Sequence, residues 1–185
     1  MLNRRTFALR TLAAAGGGAL TGSPSHLSAE SLKRLAGIDI THVPYRGGAP
    51  SALAALAGDV DMLVGTPPVI TPYLPEKRLT ALCVTYPKRY AVLPDIMSSA
   101  EAGLPQLSVQ HWFGLWAPAG VPADVREKLF NAMARVLKDP DNQAKLAHQG
   151  LLASPSPSSA EFEAFVKREI PVWKQRTIES GATPA

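Results

Sequence analysis

The sequence predicts an α/β fold, because short apolar strands alternate with helices along its first half. Helices are predicted over residues 27–36 and 50–57, and strands over 38–43, 60–64 and 80–86. Strands that alternate with helices are typical of a mostly parallel sheet. Hydrophobic residues make up 46% of the chain and charged residues 18%, which is the composition of a globular protein.

Helix ends are marked by residues that favour them. Ser25 is predicted to cap the first helix and Gly37 to end it, while Pro50 opens the second helix. Beyond an extended aromatic segment over 108–117, Pro122 is predicted in the first turn of a helix that reaches residue 138. A shorter helix follows to about residue 150, and the last helix, to about residue 179, begins at a capping box, 158–161.

Basic residues of the first twenty positions account for most of the net charge of +4. Arg4, Arg5 and Arg10 lie there without any acid, and the remaining chain carries 16 basic and 15 acidic residues. A folded part so close to neutrality has no electrostatic footprint for a nucleic acid, which argues against such a partner. Cys83, the single cysteine, lies in an apolar run and is interpreted as a small buried hydrophobic residue.

Residues 1–21 have the pattern of a secretory signal peptide. A basic start is followed by the apolar residues 11–20, a stretch too short to span a bilayer. The pair Arg4-Arg5 resembles a twin-arginine signal, and an ordinary Sec signal with two arginines is the alternative. Either route predicts a periplasmic protein.

Three loops are candidates for ligand binding, because each is predicted after a strand or before a helix. In an open α/β sheet, ligands bind at the carboxyl ends of strands, and helix N-termini favour anions. The candidate residues are Ser23, Ser25, His26, Tyr45, Arg46, Gly47, Gly48, Gly65 and Thr66. Helix capping is the alternative role for the serines and Thr66, and a solvated loop charge is the alternative for Arg46.

Catalytic patterns are absent from the sequence. No G-x-S-x-G elbow occurs, and the four histidines lack the spacing of metal ligands. Asp59 and Asp61 bracket a strand without defining an acid/base pair. The sequence therefore predicts a protein that is not an enzyme and that needs no cofactor or metal.

The loops, taken in order, resemble the Bug family, the extracytoplasmic substrate-binding proteins of tripartite tricarboxylate transporters. The resemblance covers residues 22 to about 181 and depends on the order and spacing of several short motifs. They are GSPSHL (22–27), AGIDITHVPYRG (36–47), GDVDM (58–62), LPD (93–95), AEAGLP (100–105) and WFGLWAP (112–118).

The resemblance implies a type II, periplasmic-binding-protein-like fold of the Venus flytrap kind, with one lobe complete and the other partial. Residues 22–112 would form the ligand-binding lobe, 113–118 a hinge strand and 119–185 part of the other lobe. It further implies capture of a small carboxylate for delivery to a membrane permease or a sensor.

Two departures from the family pattern bear on function. Most of one lobe is missing between the signal and the first motif, so a truncated, non-functional remnant is the alternative to a working receptor. We then expect the apolar helix faces of the carboxyl half to lie uncovered; they are Val125, Leu129, Met133 and Val136, and Phe162, Phe165, Ile170 and Trp173. Val64-Gly65 also stands where the family often has an Asp, which favours a plain carboxylate over an amino acid.

Overall fold

The computed structural model describes residues 12–16 and 22–181, which form a small parallel sheet, the helices around it and three further helices. The strands and helices are β1 Leu12–Gly16, α1 Pro24–Ala36, β2 Ile40–Pro44, α2 Gly48–Ala57, β3 Met62–Val64, α3 Pro67–Ile70, α4 Ala123–Lys138, α5 Pro140–His148 and α6 Ser159–Ser180. A 3-10 turn follows α3. Strands and helices alternate through the first half, which confirms the α/β prediction.

The three strands are parallel and lie in the order β2-β1-β3. Gly16 at the end of β1 is in register with Pro44 at the end of β2 and with Val64 at the end of β3. The chain therefore passes from β1 to β2 on one side of it, and then crosses to β3 on the other side. That reversal is the topological switch point at which open α/β sheets bind ligands.

The central strand comes from the segment that the sequence assigns to a signal peptide. Leu12–Gly16 pairs with both neighbouring strands, so the sheet begins before the predicted lobe boundary at residue 22. Ladder hydrogen bonds use backbone groups alone, which lets a run of alanine and glycine serve as a strand. The signal peptide stays a prediction, and Arg4 and Arg5 lie outside the described residues.

The N-cap of helix α1 lies two residues earlier than the sequence predicts, and the helix itself begins three residues earlier, at Pro24. Ser23, not Ser25, is the N-cap, since its hydroxyl accepts a hydrogen bond from the His26 amide at 3.3 Å. Pro24 occupies the first helical position, where its fixed φ is favourable and an N–H is not needed. The predicted end is confirmed: Gly37 is left-handed, with φ of 62°.

The core of the sheet lobe lies between the sheet and its helices. Leu27 of α1 and Ile40 of β2 are buried, and Ala54 and Val60 form a second cluster between α2 and β3. Burying a large aliphatic side chain stabilises a fold by about 1.5–3 kcal/mol. The lobe thus holds its loops on a packed scaffold.

The third strand, predicted over 80–86, is wrong: only a single parallel bridge forms there, between Val84 and Ser98. The backbone groups of Val84 bond to a loop instead of a strand. Its N–H donates a hydrogen bond to the Met97 carbonyl, and its carbonyl accepts one from the Ser99 amide. Cys83 in this run is partly buried, and burial raises the pKa of its thiol.

The aromatic segment that follows has no regular secondary structure, and residues 113–118 make no strand ladder within the described part of the chain. It packs on α6 instead. Trp112 contacts Phe162 and Phe165 edge-on, with ring centroids 5.9 and 5.2 Å apart. The indole of Trp112 also donates a hydrogen bond to Glu169 at 3.2 Å. The hinge role of the segment stays a prediction.

Helices α4, α5 and α6 contain no buried residue. The capping box of α6 is confirmed on one side, as the Ser158 hydroxyl accepts from the Glu161 amide at 3.1 Å. The face of α4 that is predicted to lie uncovered is exposed; its residues are Val125, Leu129, Met133 and Val136. On α6, Ile170 is exposed while Phe162 and Phe165 join the aromatic cluster. No helix among residues 22–181 is long and apolar enough to cross a bilayer.

Candidate functional site

The candidate loops lie at the carboxyl edge of the sheet. Residues 45–47 link the end of β2 to α2, and residues 65–66 link the end of β3 to α3. Helix α1 follows β1, so its N-terminus lies at the same edge. The ends of the three strands are in register, so the three helices that follow them all begin at the same edge of the sheet.

The N-terminus of α1 is held by side chains of its own first turn. His26 is 7% exposed, and its Nδ1 accepts a hydrogen bond from the Gly22 amide at 3.0 Å. Ser23 caps the same turn through its hydroxyl. His26 thus fixes the chain just before the helix, and its contact with a ligand stays a prediction.

Ser25 lies in the same turn and is 3% exposed. Its hydroxyl has no hydrogen-bond partner among the described residues, whereas the hydroxyl of Ser28 donates to the Pro24 carbonyl at 2.8 Å. The hydroxyl oxygen itself keeps some accessible surface, since among the described residues only the ring nitrogens of His42 are buried without a partner. The structure therefore leaves Ser25 available to an external acceptor or donor at the helix N-terminus.

His26 stacks on His42 of β2, with ring centroids 4.2 Å apart and planes tilted by 32°. Both ring nitrogens of His42 are buried, and neither has a hydrogen-bond partner in the described part of the chain. Burial above all, together with the neighbouring His26, lowers the pKa of His42, while Glu30 opposes that change. His42 is therefore a neutral support beneath the first loop at neutral pH.

The second loop combines a packed residue with an exposed one. Tyr45 packs against the cluster of Ala54 and Val60, and its carbonyl accepts from the Gly47 amide at 2.9 Å. Arg46 is exposed at the tip of the loop. Gly47 has φ of 117°, a conformation that side chains disfavour. The tight turn thus leaves Arg46 exposed, two residues before the first residue of α2.

Gly48, which ends the second loop, lies close to Val69 of α3, the helix that follows the third loop. A Cβ on Gly48 would lie 2.5 Å from Cγ2 of Val69 in α3, so only glycine fits there without movement. A Cβ on Gly65 would lie 3.3 Å from Ile70. Thr66 precedes α3 and makes no side-chain capping bond, which leaves its hydroxyl to other partners. These contacts set the spacing of the two loops.

A large apolar cleft of about 1930 Å³ opens beside this edge. Gly65 and Thr66 line it, together with residues of the aromatic segment and the inner side of α4. The other predicted site residues do not line it. Small-ligand pockets are commonly about 300–1,000 Å³. The cleft is thus larger than a small-molecule site, and most of the candidate residues lie outside it.

Sequence reasoning did not single out His42 as part of the site. The signal was present: His42 and Ile40 alternate along β2, so both face α1. Among the described residues, no group of three or more His, Cys, Asp or Glu side chains is arranged to hold a metal ion. The chemistry that this edge offers is anion binding, through helix N-termini, hydroxyl groups and one guanidinium.

Comparison with known proteins identifies the family of the chain. The family model described as "Tripartite tricarboxylate transporter family receptor" matches residues 12–180. A UPF0065 protein from the clcB-clcD intergenic region of Pseudomonas knackmussii is 35% identical over 158 residues, covering 85% of this chain and 93% of the relative.

Two solved structures share the fold and are 29% identical to this chain. A protein of R. palustris solved with adipate superposes with a TM-score of 0.87, over 98% of this chain and 60% of that one. MatC from Rhodopseudomonas palustris, solved with bound malate, superposes with a TM-score of 0.74, over 89% of this chain and 56% of that one.

The chain spans about half the length of the first curated relatives that it matches, 46% and 47%. The chain has the fold of periplasmic solute-binding proteins of the type II, Venus flytrap kind, and it corresponds to part of that fold. The predicted resemblance is confirmed, because the match covers nearly all described residues. The chain belongs to the tripartite tricarboxylate transporter receptor family, a family of substrate-binding receptors.

Proposed function

We propose that this chain is an extracytoplasmic solute-binding protein that captures a small carboxylate for a tripartite tricarboxylate-type permease or a sensor. The observation that carries the proposal is the placement of the α1 and α2 N-termini at the same edge of the sheet, at its switch point. Helix dipoles and backbone N–H groups at such a point stabilise a negative charge. The two relatives solved with adipate and malate hold ligands of this class.

Ser25 and the loop from Tyr45 to Gly48 are proposed to make the main contacts. The sheltered hydroxyl of Ser25 would donate to one carboxylate oxygen at the start of α1. Arg46, exposed at the tip of the second loop, would pair with a carboxylate group. Ser23 and His26 would hold the first loop, while Gly65 and Thr66 would border the ligand from the side of β3.

The site of this chain alone leaves a ligand partly exposed. Flytrap receptors bury a ligand between two lobes that close upon it, and this chain aligns with only 60% of the adipate-bound relative. We therefore expect weak binding, with a dissociation constant above about 10 µM.

Isothermal titration calorimetry with adipate, malate, citrate and a neutral diol of adipate's length tests the proposal. Saturable heat with the carboxylates and none with the diol is the expected result. Ser25→Ala should weaken binding by about 1–3 kcal/mol, and Ser31→Ala on the same helix serves as the matched control. A submicromolar dissociation constant would refute the proposal that the site leaves its ligand partly exposed. Unchanged affinity in both Ser25→Ala and Arg46→Ala would refute the assignment of residues.

A further inference from the structure

His26 and His42 form a stacked pair at the first turn of α1. Their ring centroids lie 4.2 Å apart, and the Gly22 amide donates a hydrogen bond to Nδ1 of His26 at 3.0 Å. His26 directly follows Ser25, so His42 contacts the residue next to the proposed carboxylate contact. We propose that carboxylate capture at this site is linked to the uptake of a solvent proton by His42, an inference that rests on the proposed function.

Hydrogen bonding decides which histidine of the pair takes up the proton. Nδ1 of His26 accepts the Gly22 amide, so a proton on that nitrogen would cost the bond that holds the first loop. Nε2 of the same ring carries the remaining proton and lies 3.8 Å from the Glu30 carboxylate. Neither ring nitrogen of His42 has a hydrogen-bond partner in the described part of the chain. His42 can therefore be protonated without the loss of a hydrogen bond.

The groups around His42 supply too little negative charge to hold a proton there in the free protein. Burial is the main reason that the pKa of His42 is lowered; His26 lowers it further, and the Glu30 carboxylate opposes both. The adjacent strand β1, Leu12–Gly16, has no titratable side chain. The remaining charges of α1 are engaged in the ion pairs Lys33–Asp39 and Arg34–Glu179. A carboxylate bound at the first turn of α1 would add a second negative charge near His42.

Linkage fixes the sign of the effect. A bound anion favours the charged form of His42, so the pKa of His42 is higher in the complex than in the free protein. The coupling is reciprocal: the proton raises the affinity for the anion by the same factor. Carboxylate binding should therefore tighten as the pH falls from about 8 toward 6. A titration midpoint that is raised by about 0.5 pH unit corresponds to about threefold tighter binding by the protonated form.

Nuclear magnetic resonance of the histidine side chains tests this linkage in the unchanged full chain. The ring resonances are titrated from about pH 8 to 5, without ligand and with saturating adipate. The expected result is a midpoint for His42 that adipate raises by at least about 0.5 pH unit. His148, exposed on α5, is the internal control, and its midpoint should not move. A His42 midpoint that adipate leaves unchanged or lowers would overturn the proposal.

Affinity gives an independent measurement between about pH 8 and 6, where carboxylates with a pKa near 4 stay ionised. Calorimetry with adipate should show binding that tightens about twofold over this range. The pH dependence should vanish in His42→Phe and persist in the matched control His148→Phe. A His42→Phe variant that keeps the full pH dependence would overturn the proposal.

The two proposals fail in different ways. Adipate that shifts the amides of the loops without moving the His42 midpoint would overturn the proton linkage alone. Adipate that shifts no amide at any pH would overturn the proposed function, and the linkage with it.

Discussion

The amide of Gly22 donates a hydrogen bond to Nδ1 of His26, 3.0 Å away, across the first turn of α1. The bond links Gly22, which precedes the helix, to the buried side chain of His26 in its first turn. It also sets the imidazole tautomer, since an accepting Nδ1 leaves the proton on Nε2. Nε2 lies 3.8 Å from the Glu30 carboxylate. The first candidate loop is thus held by a histidine beneath it.

Replacing His26 by Phe should loosen this turn, because the ring is kept while the acceptor for the Gly22 amide is lost. We expect the free energy of unfolding to fall by about 0.5–1.5 kcal/mol, the net value of one hydrogen bond. Urea denaturation measures the change, with His148→Phe on the surface of α5 as the control. Equal stability of the two variants would contradict the role of His26.

Protonation of His42 should destabilise the fold. The pKa of His42 is lowered by burial below its usual value of 6.5, so the unfolded chain binds the proton first as the pH falls. The free energy of unfolding should therefore decrease as the pH drops below about 6.5, until the folded-state pKa is passed. Above about pH 7 this contribution is constant.

The variant His42→Phe isolates that effect, since phenylalanine keeps a ring against His26 but cannot titrate. Its stability should depend less on pH than that of the unchanged chain between about pH 7 and 5. At pH 7 no loss is expected, because both nitrogens of His42 are buried without a partner among the described residues. Identical pH profiles, measured by urea denaturation, would contradict this account.

Gly48 and Val69 test how the second and third loops are spaced. Gly48→Ala places a methyl group 2.5 Å from Cγ2 of Val69, and overpacking of this kind costs about 1–3 kcal/mol. Val69→Ala should relieve the clash, so the double variant should regain part of the stability lost in Gly48→Ala. Strictly additive losses in a double-mutant cycle would show that the two residues are not in contact.

A chain that starts at residue 22 tests the central strand. Removing residues 1–21 deletes Leu12–Gly16 and leaves β2 and β3 without the strand between them. We expect the shortened chain to lose cooperative unfolding and the hydrogen-exchange protection of β2 and β3 amides. Protection equal to that of the full chain would show that the sheet forms without β1, and would fit removal of a signal peptide there.

The sequence predicts the parts of the fold that local chemistry specifies. The last residue of α1 and the first of α6 could be predicted, because Gly37 ends α1 through its backbone conformation and Ser158 caps α6. Strand β1 could not, since Leu12–Gly16 lacks the β-branched residues typical of strands and pairs with segments distant along the chain. Residues 80–86 were predicted as a strand for their apolar pattern, but loop partners use their backbone instead.

The candidate site shows the same division. That three loops meet at one edge follows from strand order and could be predicted for any parallel sheet. The sequence could not predict which side chains support the loops and which remain available to a ligand, because this depends on packing between different helices and strands. The stacking of His26 on His42 and the contact of Gly48 with Val69 each join residues of different elements.

Nuclear magnetic resonance titration of the ¹⁵N-labelled chain with adipate tests carboxylate capture most directly, since it detects weak binding and locates it residue by residue. The predicted result is a saturable set of shifts at the amides of residues 22–27 and 45–48, with the shifts lost in the double variant Ser25→Ala, Arg46→Ala. The α4 amides should stay in place. Saturating adipate that moves none of these loop amides, or that moves only amides elsewhere, would contradict the account.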